Sequence, residues 1–283
     1  MKYYVVIPAY NEARFLNLTL DSLAQQTVLP AKVVVVDDNS ADNTYDVASN
    51  FAEKHQFIAV VKTTAEAKHM PGSKVINAFN IGFAQLDQDY DIIVKLDADL
   101  ILPSNYFEQI IATFNSDATI GMAGGFAYIE KNGEWTLENL TDKDHIRGAF
   151  KAYRKKCFHD IGMLKPAMGW DTVDELLARF HNWKVVTLPD LKVKHLKPTG
   201  KSYDKSARYK QGEAFYALGY GFWITAIASV KLALRKGKPM LAADYISGYF
   251  KAKMSKKPML VTAEQARFVR KYRLQIMAKK IFN

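Results

Sequence analysis

IIVKLDADL, residues Ile92 to Leu100, is the stretch that decides the architecture of this chain. It begins with the aliphatic residues of a buried strand, yet Asp97 and Asp99 follow with only Ala98 between them. Burying two like charges in an apolar run is costly unless a positive charge lies beside them. The stretch therefore predicts a buried strand whose end holds something positive.

Three more apolar runs precede this strand, and segments with helical spacing separate them. The runs are YYVVIP (3–8), KVVVVDD (32–38) and FIAVVKT (57–63). The resulting β-α-β-α-β-α-β order has short connections. It predicts an α/β fold in which a mainly parallel, Rossmann-like sheet is flanked by helices.

Polar clusters stand where these strands are predicted to end. They are Pro8-Ala9-Tyr10, Asp37-Asp38 and Asp97-Ala98-Asp99. Because ligands of parallel sheets bind at the carboxyl ends of the strands, we expect the three clusters to converge on one edge. The head of the first helix favours an anion there, and Lys74 adds a positive charge at the start of the third helix.

After Pro103 the pattern changes. Residues 147–162 (RGAFKAYRKKCFHDIG) are predicted to be helical, and residues 184–196 (KVVTLPDLKVKHL) to form two short strands. A hairpin is expected to turn at Asn132-Gly133. GWDTVDELLARFHNW (169–183) contains a helix that begins near Asp171 to Asp174.

The C-terminal part of the chain has a different composition. Ala214 to Val230 carries no charge, but it is at the short limit for a spanning helix, and it contains Gly219 and Gly221. We therefore expect a helix packed on the body or lying in a bilayer interface rather than a span. Residues 251–283 hold ten Lys or Arg and one acid, Glu264, so this tail carries +9 of the total +10.

A basic tail on a nearly neutral body suggests an anionic partner, a membrane or a nucleic acid. Four large apolar residues among the basic ones favour a membrane-surface helix over a nucleic-acid partner; they are Phe268, Tyr272, Ile276 and Phe282. The alternative is a solvated helix that packs its apolar face on the core. Cys157 is the only cysteine, which excludes an internal disulfide and a thiolate zinc cluster and suggests a reducing compartment. No signal peptide is visible.

Carboxylates spaced like Asp97 and Asp99 suit a hard cation, Mg²⁺ or Mn²⁺. With so few protein ligands, phosphate oxygens would have to complete the shell, which points to a nucleotide or a sugar diphosphate. The alternative is a pair of strand-end carboxylates that cap the following helix. Asp37 and Asp38 can accept hydrogen bonds from a base or a ribose.

Four stretches, in order, resemble glycosyltransferase family 2 of the bacterial cell-envelope type. They are VVIPAYNEARFLNLTLDSLAQQT, VVVVDDNSADNT, GSKVINAFNIGF and IIVKLDADL. The resemblance covers roughly residues 1–200. It implies a GT-A fold over residues 1–205, and residues 206–283 are then a helical, basic, membrane-associating extension.

The resemblance also assigns roles by position. A nucleotide pocket would be lined by Pro8, Ala9, Tyr10, Glu12 and Asp38. Lys74 would lie near the base or the diphosphate. Asp99 would ligate the metal directly, and Asp97 would contact the ribose, or the metal through water.

Many members have a general base in a Glu-Asp pair at a helix start, and this chain departs from that pair. Asp171 and Asp174 both stay candidates, with helix capping as the alternative for either. His195 is an even choice between a metal ligand and a structural histidine. Trp170 could stack on an acceptor sugar, although a place in the core is the safer expectation.

The resemblance implies an inverting, metal-dependent hexosyl transfer from a nucleotide sugar, with UDP as the expected nucleotide, to a saccharide or lipid-linked acceptor. The expected location is the cytoplasmic face of the inner membrane. The absence of a Gln-x-x-Arg-Trp motif favours single additions. Two alternatives stay open: an inactive binding protein with this fold, and a sugar nucleotidyltransferase, against which the missing glycine-rich loop counts. A dehydrogenase is disfavoured because no Gly-x-Gly-x-x-Gly follows a strand.

Overall fold

The computed structural model of the protein describes residues 1–63, 72–138, 144–197 and 207–282. The strands are β1 (Tyr3–Ala9), β2 (Lys32–Asp37), β3 (Ile58–Lys62), β4 (Ile92–Leu96), β5 (Leu100–Ile101), β6 (Ile120–Lys131), β7 (Glu134–Leu137), β8 (Phe150–Arg154) and β9 (Lys184–His195). The helices are α1 (Leu16–Ala24), α2 (Thr44–Lys54), α3 (Ser73–Phe83), α4 (Tyr106–Ser116), α5 (Lys155–Asp160), α6 (Trp170–Phe180), α7 (Ala207–Ala217), α8 (Gly221–Arg235), α9 (Leu241–Met254) and α10 (Ala263–Phe282).

Within these residues nine strands form one mixed sheet. Its order is β3-β2-β1-β4-β8-β6-β9-β5, and β7 pairs with β6 off this path. The first four strands pair in parallel, as the sequence predicts. The direction changes at β8, which is antiparallel to both β4 and β6, whereas β9 runs parallel to β6. The α/β fold class with flanking helices is confirmed.

The parallel strands are buried on both faces, which explains their unbroken apolar sequences. Every residue of β1 and of β4 is buried. Helix α3 lies close to this layer because Gly82 has no side chain. An added Cβ there would lie 2.6 Å from a methyl of Val36 and 2.7 Å from a methyl of Val6.

Two predictions of secondary structure are wrong. Residues 147–162 are not one helix, because β8 occupies their centre before α5 begins. This segment pairs with β4 on one side and β6 on the other, and it buries side chains such as Phe150. The non-local pairing overrides the local helical propensity. Residues 184–196 form one strand, not two. Pro189 and Asp190 lie in a bulge, since the pairing to β6 jumps from Thr187 to Lys192.

The hairpin prediction is confirmed, because β6 and β7 join at Asn132 and Gly133, both with positive φ. Cys157 is free and buried. The uncharged stretch from 214 to 230 is not one helix. Gly219 and Gly221 adopt φ of +74° and +72°, so α7 ends at Ala217 and α8 starts at Gly221. No helix in the described part of the chain has the length and apolar character needed to cross a bilayer.

Contacts divide the chain into two compact units. The first comprises Met1–Pro166 and His181–Thr199, and the second comprises Ala167–Phe180 and Gly200–Asn283. Helix α6 is therefore grouped with the C-terminal helices. The predicted domain boundary between 205 and 206 lies outside the described residues, so that division stays a prediction.

Helices α7 and α9 of the second unit touch through their backbones. An added Cβ on Gly212 would lie 1.7 Å from the Tyr245 carbonyl oxygen, and one on Gly248 would lie 2.1 Å from the Tyr209 carbonyl oxygen. A backbone atom cannot rotate away as a side chain can. Only glycine fits either position without moving the helices apart.

We expect Gly212→Ala to lower the free energy of unfolding by about 1–3 kcal/mol, toward the upper end because the obstacle is backbone. The thermal unfolding midpoint, followed by circular dichroism, measures the effect. Lys210→Ala, on the same helix, is the matched control. A Gly212→Ala midpoint equal to that of the control would contradict the close helix crossing.

Candidate functional site

The carboxyl ends of β1, β2 and β4 lie at one edge of the sheet. Ala9 pairs with Asp37 across β1 and β2, and the Asp38 amide donates to the Ala9 carbonyl at 2.8 Å. On the other side of β1, Val6 pairs with Lys95 of β4, two residues before Asp97. The structure thus brings together the three polar clusters that the sequence places at strand ends.

The loops after β1 and β2 are braced against each other. Asn11 has a positive φ of 54°; its amide donates to the Ser40 hydroxyl at 2.9 Å, and its side-chain carbonyl accepts from the Ala41 amide at 2.8 Å. Asp37 is fully buried and so does not face a ligand at the surface. Asp38 is half-buried, and its carboxylate accepts from the Thr63 hydroxyl at 3.0 Å.

Tyr10 and Lys74 form a cation–aromatic pair at this edge. The Tyr10 side chain follows β1 and is 54% exposed, although Pro8 and Ala9 just before it are buried. The Lys74 ammonium, in the first turn of α3, lies 5.7 Å from the centre of the Tyr10 ring. An aromatic face beside a cation is suited to a flat base next to a phosphate.

The backbone that carries Asp97 and Asp99 is held from three sides. The Thr19 hydroxyl of α1 donates to the Ala98 carbonyl at 2.9 Å and accepts from the Leu100 amide at 3.0 Å. The Asp97 amide donates to the carbonyl of Ala149, at 2.7 Å, and Leu196 donates to that of Asp99 at 2.9 Å. These bonds fix the main-chain positions from which both carboxylate side chains extend.

Asp97 has a cation supplied by its own strand. The Lys95 ammonium, whose side chain is 1% exposed, forms an ion pair with the Asp97 carboxylate. Burial raises the pKa of Asp97; Lys95 acts against that rise, and Asp99 adds to it. Lys151 of β8, directly opposite Lys95 in the sheet, is also fully buried.

Asp99 begins a chain of charged side chains. The His195 Nε2 atom, at the end of β9, lies 3.5 Å from the Asp99 carboxylate, and the Nδ1 atom lies 3.4 Å from that of Glu138. Glu138 also pairs with Arg147 at 2.9 Å. Burial alone would lower the pKa of His195, but Asp99 and Glu138 outweigh it and raise that pKa to about 9.

Glu12 completes the acidic edge. Its carboxylate accepts from the Lys197 ammonium at 2.6 Å. Burial raises the pKa of Glu12, Lys197 opposes that rise, and the charges of Asp99 and Asp97 add to it. Because these charges influence Glu12, all three carboxylates share one electrostatic environment.

The donor set at this edge fits a cation that a ligand helps to hold. Over the described ranges, no three His, Cys, Asp or Glu side chains are grouped as a metal-binding set. Asp97 and Asp99 nevertheless offer the carboxylate oxygens that Mg²⁺ and Mn²⁺ prefer. Two protein ligands suit an ion whose other positions are filled by phosphate oxygens and water.

The two candidate bases lie in the second unit, on α6. Asp171 is in the first turn and is half-buried, whereas Asp174 is 2% exposed. The Asp174 carboxylate accepts from the Glu175 amide at 2.6 Å. Trp170, at the start of the helix, is buried, in keeping with a core position. The choice between Asp171 and Asp174 stays open.

Four charged residues of the site were missed by the sequence analysis: Lys95, Glu138, Arg147 and Lys197. Lys95 lies in β4, two residues before Asp97, so the two side chains are on the same face of the strand. That spacing could have predicted their ion pair. Lys197 follows His195 by two residues and offered a weaker one. Glu138 and Arg147 gave none, because their contacts depend on distant strands.

Comparisons with known proteins give the family and the fold of the chain. Residues 4–168 match the family model described as Glycosyl transferase family 2. An uncharacterized glycosyltransferase of Nostoc sp. is 31% identical over 132 residues, covering 47% of this chain and 38% of that protein. The dolichol-phosphate mannosyltransferase of Pyrococcus furiosus is 28% identical over 210 residues, covering 67% and 56%. The chain thus spans between about a third and about three fifths of the length of these relatives.

Solved structures share the fold at low identity. One is the mannosyltransferase PcManGT from Pyrobaculum calidifontis in complex with GDP-Man and Mn²⁺, with TM-score 0.58, 17% identity, and coverage of 98% of this chain and 80% of that one. Another is S. aureus TarS 1–349 in complex with UDP-GlcNAc, with TM-score 0.59, 18% identity, and coverage of 95% of this chain and 78% of that fragment. These likenesses establish a GT-A fold.

We expect Glu138→Gln to lower the pKa of His195 in the metal-free protein, from about 9 toward the ordinary 6.5. The lost carboxylate charge no longer favours the protonated ring. Imidazole NMR resonances followed through a pH titration measure the shift. Glu134→Gln, an exposed position on the neighbouring strand, is the matched control.

The same shift makes stability depend on pH. Because the folded-state pKa lies above 6.5, the protonated His195 stabilises the fold fully below about pH 6.5, and this contribution is lost as the pH rises through about 9. Glu138→Gln should narrow the pH range over which this contribution is lost, because it lowers the folded-state pKa of His195. A His195 pKa that stays near 9 in this variant would contradict the assigned contacts.

Proposed function

The chain belongs to glycosyltransferase family 2, and we propose that it transfers a hexose from a nucleoside-diphosphate sugar to a hydroxyl group of an acceptor. The observation that carries the proposal is the pinned Asp97-Ala98-Asp99 segment at the carboxyl edge of the sheet. A braced pair of carboxylates beside an exposed aromatic ring and a lysine suits a donor with a base, a ribose and a diphosphate.

The nucleotide would occupy the edge formed by β1 and β2. Tyr10 would stack on the base, and the carboxylate of Asp38 would accept hydrogen bonds from the base or the ribose. The buried backbone of Pro8 and Ala9 would form the floor of this pocket, and Glu12 its acidic wall. Lys74, beside Tyr10, would attract the diphosphate.

A divalent cation, Mn²⁺ or Mg²⁺, would neutralise charge on the departing nucleoside diphosphate. Asp99 and His195 would hold it directly, and Asp97 would contact the ribose or act through a water molecule. Mn²⁺ in the PcManGT structure gives coarse support. Because His195 is protonated near neutral pH without metal, it would have to lose its proton to bind an ion.

The transfer would invert the configuration at the anomeric carbon. The acceptor oxygen attacks that carbon while a carboxylate, Asp171 or Asp174, takes its proton, and the bond to the diphosphate breaks. The protein holds donor and acceptor in line, which removes much of the entropic barrier. A base of this kind typically contributes about 10²- to 10⁴-fold to the rate.

UDP is the proposed donor nucleotide, with support from the UDP-GlcNAc complex of TarS. A lipid-linked acceptor has support from the name of the Pyrococcus relative, a dolichol-phosphate mannosyltransferase. The proposed location is the cytoplasmic face of the inner membrane, where anionic lipids would attract the basic C-terminal part of the chain. Nucleic acid is not proposed as a partner.

The direct test is release of a nucleoside diphosphate from UDP-, GDP- and dTDP-sugars, each with and without Mn²⁺. We expect one nucleotide series to be cleaved, with metal only, and Asp99→Asn to reduce the rate at least a hundredfold because a metal ligand is lost. Asp89→Asn, an exposed carboxylate in the same unit, is the control. Undiminished metal-dependent turnover by Asp99→Asn would overturn the site, and no turnover of any donor would favour an inactive binding protein.

Separate Asp171→Asn and Asp174→Asn variants identify the base. We expect one of them to lose about 10²- to 10⁴-fold in kcat while the Kd for donor nucleotide is unchanged. Nucleotide affinity measured by calorimetry is the second readout, since a folding defect would reduce it too. Full turnover by both variants would remove α6 from the mechanism.

A further inference from the structure

Helix α8 carries its apolar side chains on the outside. Trp223, Ile227, Val230 and Leu234 are 75%, 49%, 48% and 62% exposed, and their spacing places them along one face, named here the α8 outer face. The opposite side of the helix is buried through Ile224, Thr225, Ser229 and Ala233. This is the reverse of the helices of ordinary globular proteins, which turn their apolar stripe to the core.

The inward side confirms the reversal. The hydroxyl oxygens of Thr225 and Ser229 are fully buried and have no hydrogen-bond partner among the described residues. A buried hydroxyl without a partner costs free energy, whereas the exposed face offers large apolar side chains to water. The arrangement is favourable when something apolar covers the outer face.

The apolar surface continues onto α9. The Phe222 ring lies 5.2 Å from that of Trp223 and 5.5 Å from that of Phe250, measured between ring centres. Phe250 is 41% exposed, and Met254, one turn further along α9, is 82% exposed. Two neighbouring helices thus contribute to one exposed patch within the second unit.

The charge along α8 and the loop that follows it is of one sign. Residues 221–240 contain four basic residues and no acidic ones; the basic residues are Lys231, Arg235, Lys236 and Lys238. Lys251 and Lys253, also exposed, lie between Phe250 and Met254 in the sequence of α9. Apolar side chains bordered by basic ones match a surface of anionic headgroups over acyl chains.

We propose that the α8 outer face, with Phe250 and Met254, is a docking surface for an anionic lipid bilayer. The helix would lie in the plane of the interface, since its 15 residues extend only about 22 Å, against a hydrocarbon core of about 30 Å. Trp223 would sit at the level of the headgroups, where tryptophan is enriched. The basic residues would reach the lipid phosphates.

The basic tail helix α10 is a poorer candidate for this contact. Phe268 packs against Phe180 of α6, with ring centres 5.5 Å apart, and the Tyr272 ring lies under the Arg179 guanidinium at 5.7 Å. Among the described side chains of α10, Leu274 is the large hydrophobic residue that is exposed, at 50%. Two of the aromatic residues that suggested a membrane-surface tail, Phe268 and Tyr272, thus contact side chains of α6.

The test is sedimentation of the full chain with vesicles of phosphatidylcholine alone, or of phosphatidylcholine mixed with phosphatidylglycerol. We expect binding to the anionic vesicles and at least a tenfold loss of affinity in a Trp223→Ser, Ile227→Ser, Leu234→Ser triple variant. The matched control replaces three exposed large apolar residues of the first unit, Leu18→Ser, Leu29→Ser and Met163→Ser, and should bind as wild type does. Leu274→Ser should also bind normally.

Fluorescence gives a second readout that needs no triple variant. Emission of the wild type should shift to the blue when anionic vesicles are added, and Trp223→Phe should lose the shift while it still sediments with them. Retained vesicle binding by the triple variant, or a shift retained by Trp223→Phe, would overturn the proposal. Failure of the wild type to bind anionic vesicles would overturn it too. In that case, a wild-type dimer seen by light scattering, and absent in the triple variant, would assign the α8 outer face to a second copy of the chain.

The proposal is independent of the transfer reaction. The triple variant should release nucleoside diphosphate from a soluble donor at the wild-type rate, since none of its three positions belongs to the candidate site. A loss of vesicle binding with full donor turnover would therefore support the docking surface alone. Vesicle binding by a chain that cleaves no donor would leave the docking surface standing and remove the proposed function.

Discussion

The rest of the site depends on one constraint, which is the cost of ending a buried strand with two carboxylates one residue apart. The chain offsets this cost with its own cations: Lys95 pairs with Asp97, and His195 lies between Asp99 and Glu138. Removing one partner of a buried pair costs about 3–5 kcal/mol, so these contacts hold each other in place. The positive charge that the end of this strand requires is thus supplied by the protein itself.

This arrangement explains why the first unit needs its later strands. The parallel layer positions Tyr10, Asp38 and Asp97 at one edge, but the positive groups arrive from β4 itself and from the end of β9. Thr19 and Ala149 fix the intervening backbone. In the proposed reaction, an edge that is preorganised in this way would accept a diphosphate and a cation without rearranging its main chain.

The parallel half of the fold was predictable because each strand and helix there follows its local pattern, and strand order places the polar ends together. The errors have a different physical origin. The sequence around β8 has helical spacing, and the segment forms a strand because it pairs with β4 and β6. Strand β9 continues past Pro189 because that residue lies in a bulge. Glu138 contacts His195 across 57 residues of sequence, a distance at which no local pattern carries information. The sequence shows the residues of the α8 outer face as part of an apolar run, but it does not show that their side chains are exposed.

The central claim is that the acidic edge holds a divalent cation together with a nucleoside diphosphate. Electron paramagnetic resonance of Mn²⁺ measures this directly, since free and bound ions differ in signal. The account predicts weak Mn²⁺ binding by the protein alone, at least tenfold tighter binding when UDP or another nucleoside diphosphate is present, and loss of that gain in Asp99→Asn. Binding of Mn²⁺ that is indifferent to every nucleotide, or unchanged in Asp99→Asn, would contradict it.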